Sequence, residues 1–176
     1  MSNIKIIITG TQKVNKNQLA LKLTELNDNL SIMPTFTTDM DYEGINEIFN
    51  YKIDLNTIYL AYKNNALLYV NTVRNISTGI TLDDYYNNDI GVIDVNDFNM
   101  ISDKQLSEND ILIVWIDSKY NKKMDIQEIK YLQQRLTKYK YLYFLESEDI
   151  DDIANIILKY LDSPEEIKIE ILENNS

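Results

Sequence analysis

The sequence contains no cysteine and no histidine. Without cysteine the chain cannot form disulfides or use a thiol in catalysis, and the loss of both residues excludes zinc sites of the usual Cys/His type. General acid–base catalysis by imidazole is excluded as well. The commonest metal ligands and proton carriers are therefore missing from this chain.

Positive charge is also scarce. The chain has 17 Lys and Arg residues against 28 Asp and Glu residues, a formal net charge of −11, and its two arginines are Arg74 and Arg135. Binding to the phosphate backbone of DNA or RNA depends on clustered Lys and Arg side chains, so we expect no direct nucleic-acid partner. We expect no membrane association either, because no apolar run is long enough to span a bilayer and the N-terminus has no signal-peptide pattern.

The use of aliphatic residues is uneven, with 26 isoleucines but four alanines and six valines. Together with abundant Asn, Lys and Tyr, this bias is typical of an AT-rich genome, such as that of a low-GC bacterium or its phage. We therefore expect the protein in the cytoplasm of a bacterial host or in a virion.

The pattern of apolar residues predicts alternating strands and helices in one domain over residues 1–162, followed by a strand or tail at 163–176. Strands are predicted over 4–9, 31–38, 57–62, 66–73, 90–95, 111–116 and 141–145. Helices are predicted over 18–27, 41–51, 82–87, 122–139 and 149–161. Continuous apolar strands alternating with helices favour a three-layer α/β fold with a mostly parallel, doubly wound sheet, and a small strand/helix insertion is expected at about 33–88.

The first predicted strand leads into a degenerate phosphate-binding loop. Residues 10–17 fit the frame G-x-x-x-x-G-K-[ST], with Gly10 and Lys16 in place, Asn15 at the second glycine and Asn17 at the metal-binding hydroxyl. In that motif backbone N–H groups hold the phosphates, the lysine reaches the terminal phosphates and the hydroxyl binds Mg²⁺. We expect no cofactor; residual binding of ATP and Mg²⁺, if retained, would use Gly10, Lys13, Lys16 and Asn17. The same residues also fit an ordinary polar turn between a strand and a helix.

Two aspartates follow apolar strands, Asp94 after residues 90–93 and Asp117 after 111–116. Parallel strands of this fold class bind ligands at their carboxyl ends, so Gly10, Asp94 and Asp117 are expected at one rim of the sheet. The aspartates are candidate metal-binding acids, or they simply turn each strand into its loop.

The order of these motifs resembles that of the guanylate kinase family, and more loosely that of P-loop nucleoside monophosphate kinases. After the loop come Thr37-Thr38-Asp39, with Asp39 where the family has an arginine, then Glu43-Gly44 and the segment 77–81. The strand ending at Asp94, the strand 111–117 and a helix carrying Arg135 complete the series along roughly residues 1–160. The resemblance implies a P-loop kinase-like fold, with Arg135 on the lid over the donor phosphates.

The missing glycine, hydroxyl and arginines predict that this chain keeps the scaffold without the catalysis. Phosphoryl transfer depends on a metal and several cations that converge on the phosphates. We expect a non-catalytic protein–protein interaction module, without catalytic residues or a metal site, that serves as a phage virion, tail-assembly or host-takeover component. Its surface is expected to be tyrosine-rich and acidic, and residues 166–172 could add a strand to a partner's sheet.

Two alternatives remain at this point. One is a divergent (deoxy)nucleoside monophosphate kinase that uses Lys16 and Arg135. The other is an acidic mimic of nucleic acid that occupies a basic host protein.

Overall fold

The computed structural model describes residues 4–11, 15–118, 134–135 and 138–163. The strands in this part of the chain are β1 (Lys5–Gly10), β2 (Thr35–Thr37), β3 (Asn50–Lys52), β4 (Leu67–Val73), β5 (Ile76–Thr81), β6 (Ile90–Val92), β7 (Ile111–Asp117) and β8 (Lys140–Leu145). The helices are α1 (Lys16–Leu26), α2 (Leu55–Lys63), α3 (Leu82–Asn87), α4 (Val95–Phe98), α5 (Asp103–Ser107) and α6 (Ile150–Asp162).

Two four-stranded sheets organise these elements. The first sheet is entirely parallel, in the order β6-β1-β7-β8, with Ile6 of β1 opposite Ile90 on one side and Leu112 on the other. The second sheet has the order β3-β2-β5-β4 and mixes parallel and antiparallel pairs within residues 35–81. The parallel sheet confirms the predicted α/β fold class.

Apolar layers cover both faces of the first sheet. On one face Ile6 and Ile8 pack with Leu19 and Leu23 of α1 and with Ile157 of α6. The opposite face packs against α3, α4, α5 and the second sheet, through the residues Ile7, Ile113, Trp115, Leu68, Tyr85, Phe98 and Leu106. Burial on both faces explains why β1 and β7 are continuous apolar runs rather than alternating ones.

Helix α2 contradicts the strand predicted over 57–62, which was expected to pair with residues 66–73. Asp54 caps this helix, with its side chain accepting hydrogen bonds from the backbone N–H and the hydroxyl of Thr57. The capping bond satisfies an N–H group that has no partner inside the helix and so favours the helical turn. Strand β4 pairs instead with β5, through a turn at Arg74 and Asn75 in which both residues have positive φ.

The helix predicted over 41–51 is also wrong, because that segment forms turns followed by β3. Asn46 accepts a hydrogen bond from the N–H of Ile48, and Asn50 accepts one from the N–H of Asn46. Such side-chain bonds compete with helical backbone bonds and favour turns.

The other differences between the predicted and the observed elements are smaller. The strand predicted over 90–95 ends at Val92, because α4 begins at Val95. Strand β8 was expected to be buried, but it lies at the edge of the sheet, and Tyr141 and Tyr143 are each 50% exposed. The helix predicted over 122–139 lies mostly outside the described residues, and the tail at 163–176 does so from residue 164 onward.

Within the described part of the chain, no helix combines the length and the apolar character needed to cross a membrane.

Candidate functional site

The carboxyl ends of β1, β6 and β7 meet at one rim of the first sheet. The hydroxyl of Thr11, just after β1, donates a 2.8 Å hydrogen bond to Oδ1 of Asp117 at the end of β7. The N–H of Thr11 donates to the carbonyl of Ile116, and the N–H of Ser118 donates to the Thr11 hydroxyl. These bonds fix the start of the loop against β7.

The tight junction between β1 and β7 explains why residue 10 is a glycine. Its φ of +136° lies in a region that residues with a side chain rarely adopt, and a Cβ at this position would collide with the backbone of Ile116. Close packing of β1 on β7 therefore requires glycine here, independently of any phosphate.

Lys16 occupies the first turn of α1 and is buried, with 5% of its side chain exposed. Its ammonium group donates a 3.2 Å hydrogen bond to the Thr11 carbonyl and lies 3.5 Å from Oδ1 of Asp94. Asp94 follows β6, the neighbour of β1, so the sheet order explains why the two residues meet. The lysine of the loop and one of the two predicted rim aspartates therefore form an ion pair.

Of the other predicted loop residues, Asn15 and Asn17 belong to the described part of the chain. Asn15 is the N-cap of α1, but its side chain makes no capping hydrogen bond, and Asn17 is exposed in the first turn. Lys13 lies outside the described residues. A nucleotide-binding role for Gly10, Lys13, Lys16 and Asn17 stays a prediction.

A cleft of about 320 Å³ opens between this rim and the second sheet. Its charged side chains are Lys16, Asp94 and Asp97. The uncharged residues around it are Asn15, Asn17, Met33, Thr35, Phe49, Asn50, Tyr69, Thr78 and Val92. Among the described residues that line the cleft, negative charge thus exceeds positive charge by one.

Asp97 of α4 and Tyr69 of β4 both line this cleft. Asp97 is half-buried in α4 and accepts a 2.8 Å hydrogen bond from the amide of Asn71 on β4. Burial raises the pKa of Asp97, the Asn71 bond opposes this rise, and the charge of Asp94 adds to it. Burial likewise raises the pKa of Tyr69, with further contributions from the charges of Asp97 and Asp94. Tyr69 and both carboxylates line the same cleft.

Asp97 and Asn71 were not singled out from the sequence, and Tyr69 counted only among the tyrosines expected in strands and at interfaces. Asp97 lies three residues after Asp94, and a carboxylate in the first turn of a helix is ordinarily a favourable interaction with the helix dipole. Asn71 and Tyr69 belong to a strand with no motif. Only the packing of β4 against α4 brings these side chains together.

Arg135 lies apart from the residues that line the cleft. It is buried, with Nε donating to Asp103, and Nη1 and Nη2 donating to the carbonyls of Phe98 and Ile101. Its guanidinium also stacks over the ring of Phe98, 4.7 Å from the centroid. These contacts support a structural role at the α4–α5 connection, and its predicted position on a lid stays a prediction.

Carboxylates are the candidate metal ligands of this chain, which contains no histidine and no cysteine. Within the described residues there is no group of three or more Asp or Glu side chains placed to hold a metal ion. Asp94 pairs with Lys16, and Asp117 accepts hydrogen bonds from Thr11 and Tyr143.

Among known proteins, matches to this chain were found in solved structures. No family model matches the sequence, and no curated protein matches it either. Among solved structures, the chain is similar to guanylate kinase from Anaplasma phagocytophilum, with 15% sequence identity and a TM-score of 0.58. The similarity covers 92% of this chain and 85% of that one. Together with the parallel sheet and the loop at its rim, this similarity establishes that the chain has a guanylate kinase-like P-loop fold.

Proposed function

We propose that this guanylate kinase-like protein does not transfer phosphoryl groups and acts instead by binding a protein partner. The observation that carries the proposal is the charge of the cleft. Among the described residues that line it, Lys16 is the one lysine and already pairs with Asp94, and Asp97 adds a second negative charge.

Phosphoryl transfer needs the opposite arrangement. Its transition state spreads negative charge over the transferred group, and a single well-placed arginine accelerates the reaction by about 10³–10⁵-fold. Arg135 is held at the α4–α5 connection, and Arg74 lies in the exposed turn between β4 and β5. Neither arginine lines the cleft.

The loop also fits Mg²⁺ and ATP poorly. Asn15 places a Cβ where the motif has glycine, and Asn17 replaces the hydroxyl that would bind Mg²⁺. A carboxylate that could support the metal, Asp94, is engaged with Lys16. These residues do not form the donor set that the nucleotide and its metal need, so no catalytic step is assigned to them.

The surface supports a role in protein binding. Leu55, Tyr59 and Tyr62 of α2 are 60%, 55% and 65% exposed and follow the i, i+4, i+7 spacing of one helix face. Apolar and aromatic side chains at this spacing are typical of helices that dock into a partner's groove. The tyrosines suit an interface because they combine an apolar ring with a polar tip. The candidate strand at 166–172 lies outside the described residues.

A coupled kinase assay tests the loss of catalysis. With ATP, Mg²⁺ and each common nucleoside monophosphate we expect no turnover above the enzyme-free background, and no heat of ATP binding in calorimetry. Metal-dependent turnover that disappears in Lys16→Ala would instead establish a divergent nucleotide kinase.

The source and location form a separate part of the proposal. The residue bias supports a phage component that is carried in the virion or acts in the host cytoplasm. Mass spectrometry of purified virions from the native source distinguishes these two locations.

A further inference from the structure

We propose that the cleft binds a cationic side chain, a lysine or an arginine, that belongs to the partner protein. This inference deepens the proposed function and rests on it. It assigns a ligand chemistry to the space where a kinase of this fold would need to bind anions.

The hydrogen-bonding groups of the cleft match a cation. The Asp97 carboxylate has a single hydrogen-bond donor among the described residues, Asn71 at Oδ1, so Oδ2 is available as an acceptor. Ammonium and guanidinium groups carry donors only, whereas phosphate oxygens at neutral pH are mainly acceptors. The carboxylate therefore complements a cation and repels a phosphate.

The largely buried side chain of Tyr69 is a second feature that fits a cation. Tyr69 is only 6% exposed, it lines the cleft, and its hydroxyl has no hydrogen bond within the described part of the chain. The hydroxyl oxygen itself is open to solvent, so it can accept a hydrogen bond from a bound group. A cationic donor placed between Asp97 and Tyr69 would satisfy the hydroxyl oxygen and the free carboxylate oxygen together.

Part of the cleft lining is apolar. Phe49, Met33 and Val92 supply uncharged surface beside the acids. Lysine and arginine pack their alkyl stems against such surface while the charged head reaches polar groups. The cleft, with a volume of about 320 Å³, has room for one such side chain.

Charge also acts at a distance. The chain carries a net charge of −11, which attracts a basic partner before contact and repels nucleotides. This attraction is not specific to the cleft, so the experiment must separate it from binding at Asp97.

The test is an NMR titration of the full chain with a capped pentapeptide that has one central arginine. We expect saturable shifts of backbone amides around the cleft, at least tenfold weaker binding in Asp97→Asn, and about threefold weaker binding in Tyr69→Phe. The matched control is Asp28→Asn, which removes one exposed carboxylate outside the cleft and should leave the affinity unchanged. Tyr69→Phe removes only the hydroxyl. Its affinity for the peptide still tests the proposal if Asp97→Asn fails to fold.

Three outcomes would overturn the proposal. Equal weakening in Asp97→Asn and Asp28→Asn would mean non-specific attraction by net charge. Tighter binding of spermidine than of the peptide would assign the cleft to a free polyamine rather than to a partner's side chain. Shifts of the same amides by GMP or inorganic phosphate would show that the cleft selects anions. The kinase assay is independent, because a chain without turnover can still fail to bind the peptide.

Discussion

The ammonium group of Lys16 lies 3.5 Å from a carboxylate oxygen of Asp94, although 78 positions of sequence separate the two residues. In a functional phosphate-binding loop the lysine reaches the phosphates of the nucleotide. Here the lysine is buried, and its charge is compensated within the protein, while Asp94 is 59% exposed. The pair therefore links α1 to the end of β6.

A double-mutant cycle of Lys16→Met and Asp94→Asn measures this link. We expect each single substitution to destabilise the fold by about 1 kcal/mol, and the coupling free energy to be about 0.5–1 kcal/mol because Asp94 remains exposed to solvent. Urea unfolding of the four proteins at low salt gives these values, and 1 M NaCl should reduce the coupling. Strictly additive effects would mean that the two charges do not stabilise each other.

Gly10→Ala tests the junction between β1 and β7. We expect a loss of about 3 kcal/mol or more in the free energy of unfolding, because alanine resists positive φ and its Cβ would collide with the Ile116 backbone. Gly44→Ala is the matched control, since its Cβ would meet only the movable side chain of Tyr42. Chemical denaturation compares the two variants. Similar small losses would contradict the described junction.

The two arginines should differ in their contribution to stability. Arg135→Lys cannot reproduce the three directed bonds to Asp103 and to the carbonyls of Phe98 and Ile101, so we expect a loss of about 1–3 kcal/mol. Arg74→Lys changes an exposed turn residue and should alter stability by less than about 0.5 kcal/mol. Thermal unfolding of both variants measures the difference, and equal effects would mean that the Arg135 contacts do not stabilise the fold.

Asp103 should make the fold sensitive to acid. Hydrogen bonds from Tyr139 and Lys138, together with Arg135, lower the pKa of Asp103 from 3.8 to about 2. Because the folded pKa is the lower one, this stabilisation is complete above the unfolded pKa and disappears as the pH falls from about 3.8 to about 2.

Asp103→Asn should therefore be less stable than the parent at pH 7, and the difference should shrink in acid. Circular dichroism during urea unfolding at pH 7 and at pH 3 provides the comparison. Asp28→Asn serves as the control, as it removes an exposed carboxylate from a turn. A stability difference that is constant with pH would contradict the proposed role of Asp103.

Several elements could be predicted from the sequence because their signals are local. The strand of β1, the loop and α1 follow one another as expected, and α3 and α6 were predicted within one residue of their observed bounds. Continuous burial explains the success for β1 and β7, and the acids in the first turn of α6 agree with its N-cap at Asp149.

Other elements depended on signals that the apolar pattern does not carry. Helix α2 has one fully buried residue, Ile58, so its short apolar segment gave no clear period, and the capping bond from Asp54 determined its form. At 41–51 the apolar spacing fitted a helix, but side-chain bonds from Asn46 and Asn50 favoured turns. Polar side chains that bond to the local backbone outweighed weak periodicity in both cases.

The sequence by itself determined the α/β class, the order of strand, loop and helix at the N-terminus, and the acidic balance of the chain. These properties follow from composition and from patterns within a few residues. The tertiary structure alone decided that Lys16 meets Asp94, that Arg135 binds the α4–α5 connection, and that Asp97 and Tyr69 share a cleft. Such contacts join residues far apart in the chain, and strand order and packing, rather than local spacing, bring them within bonding distance.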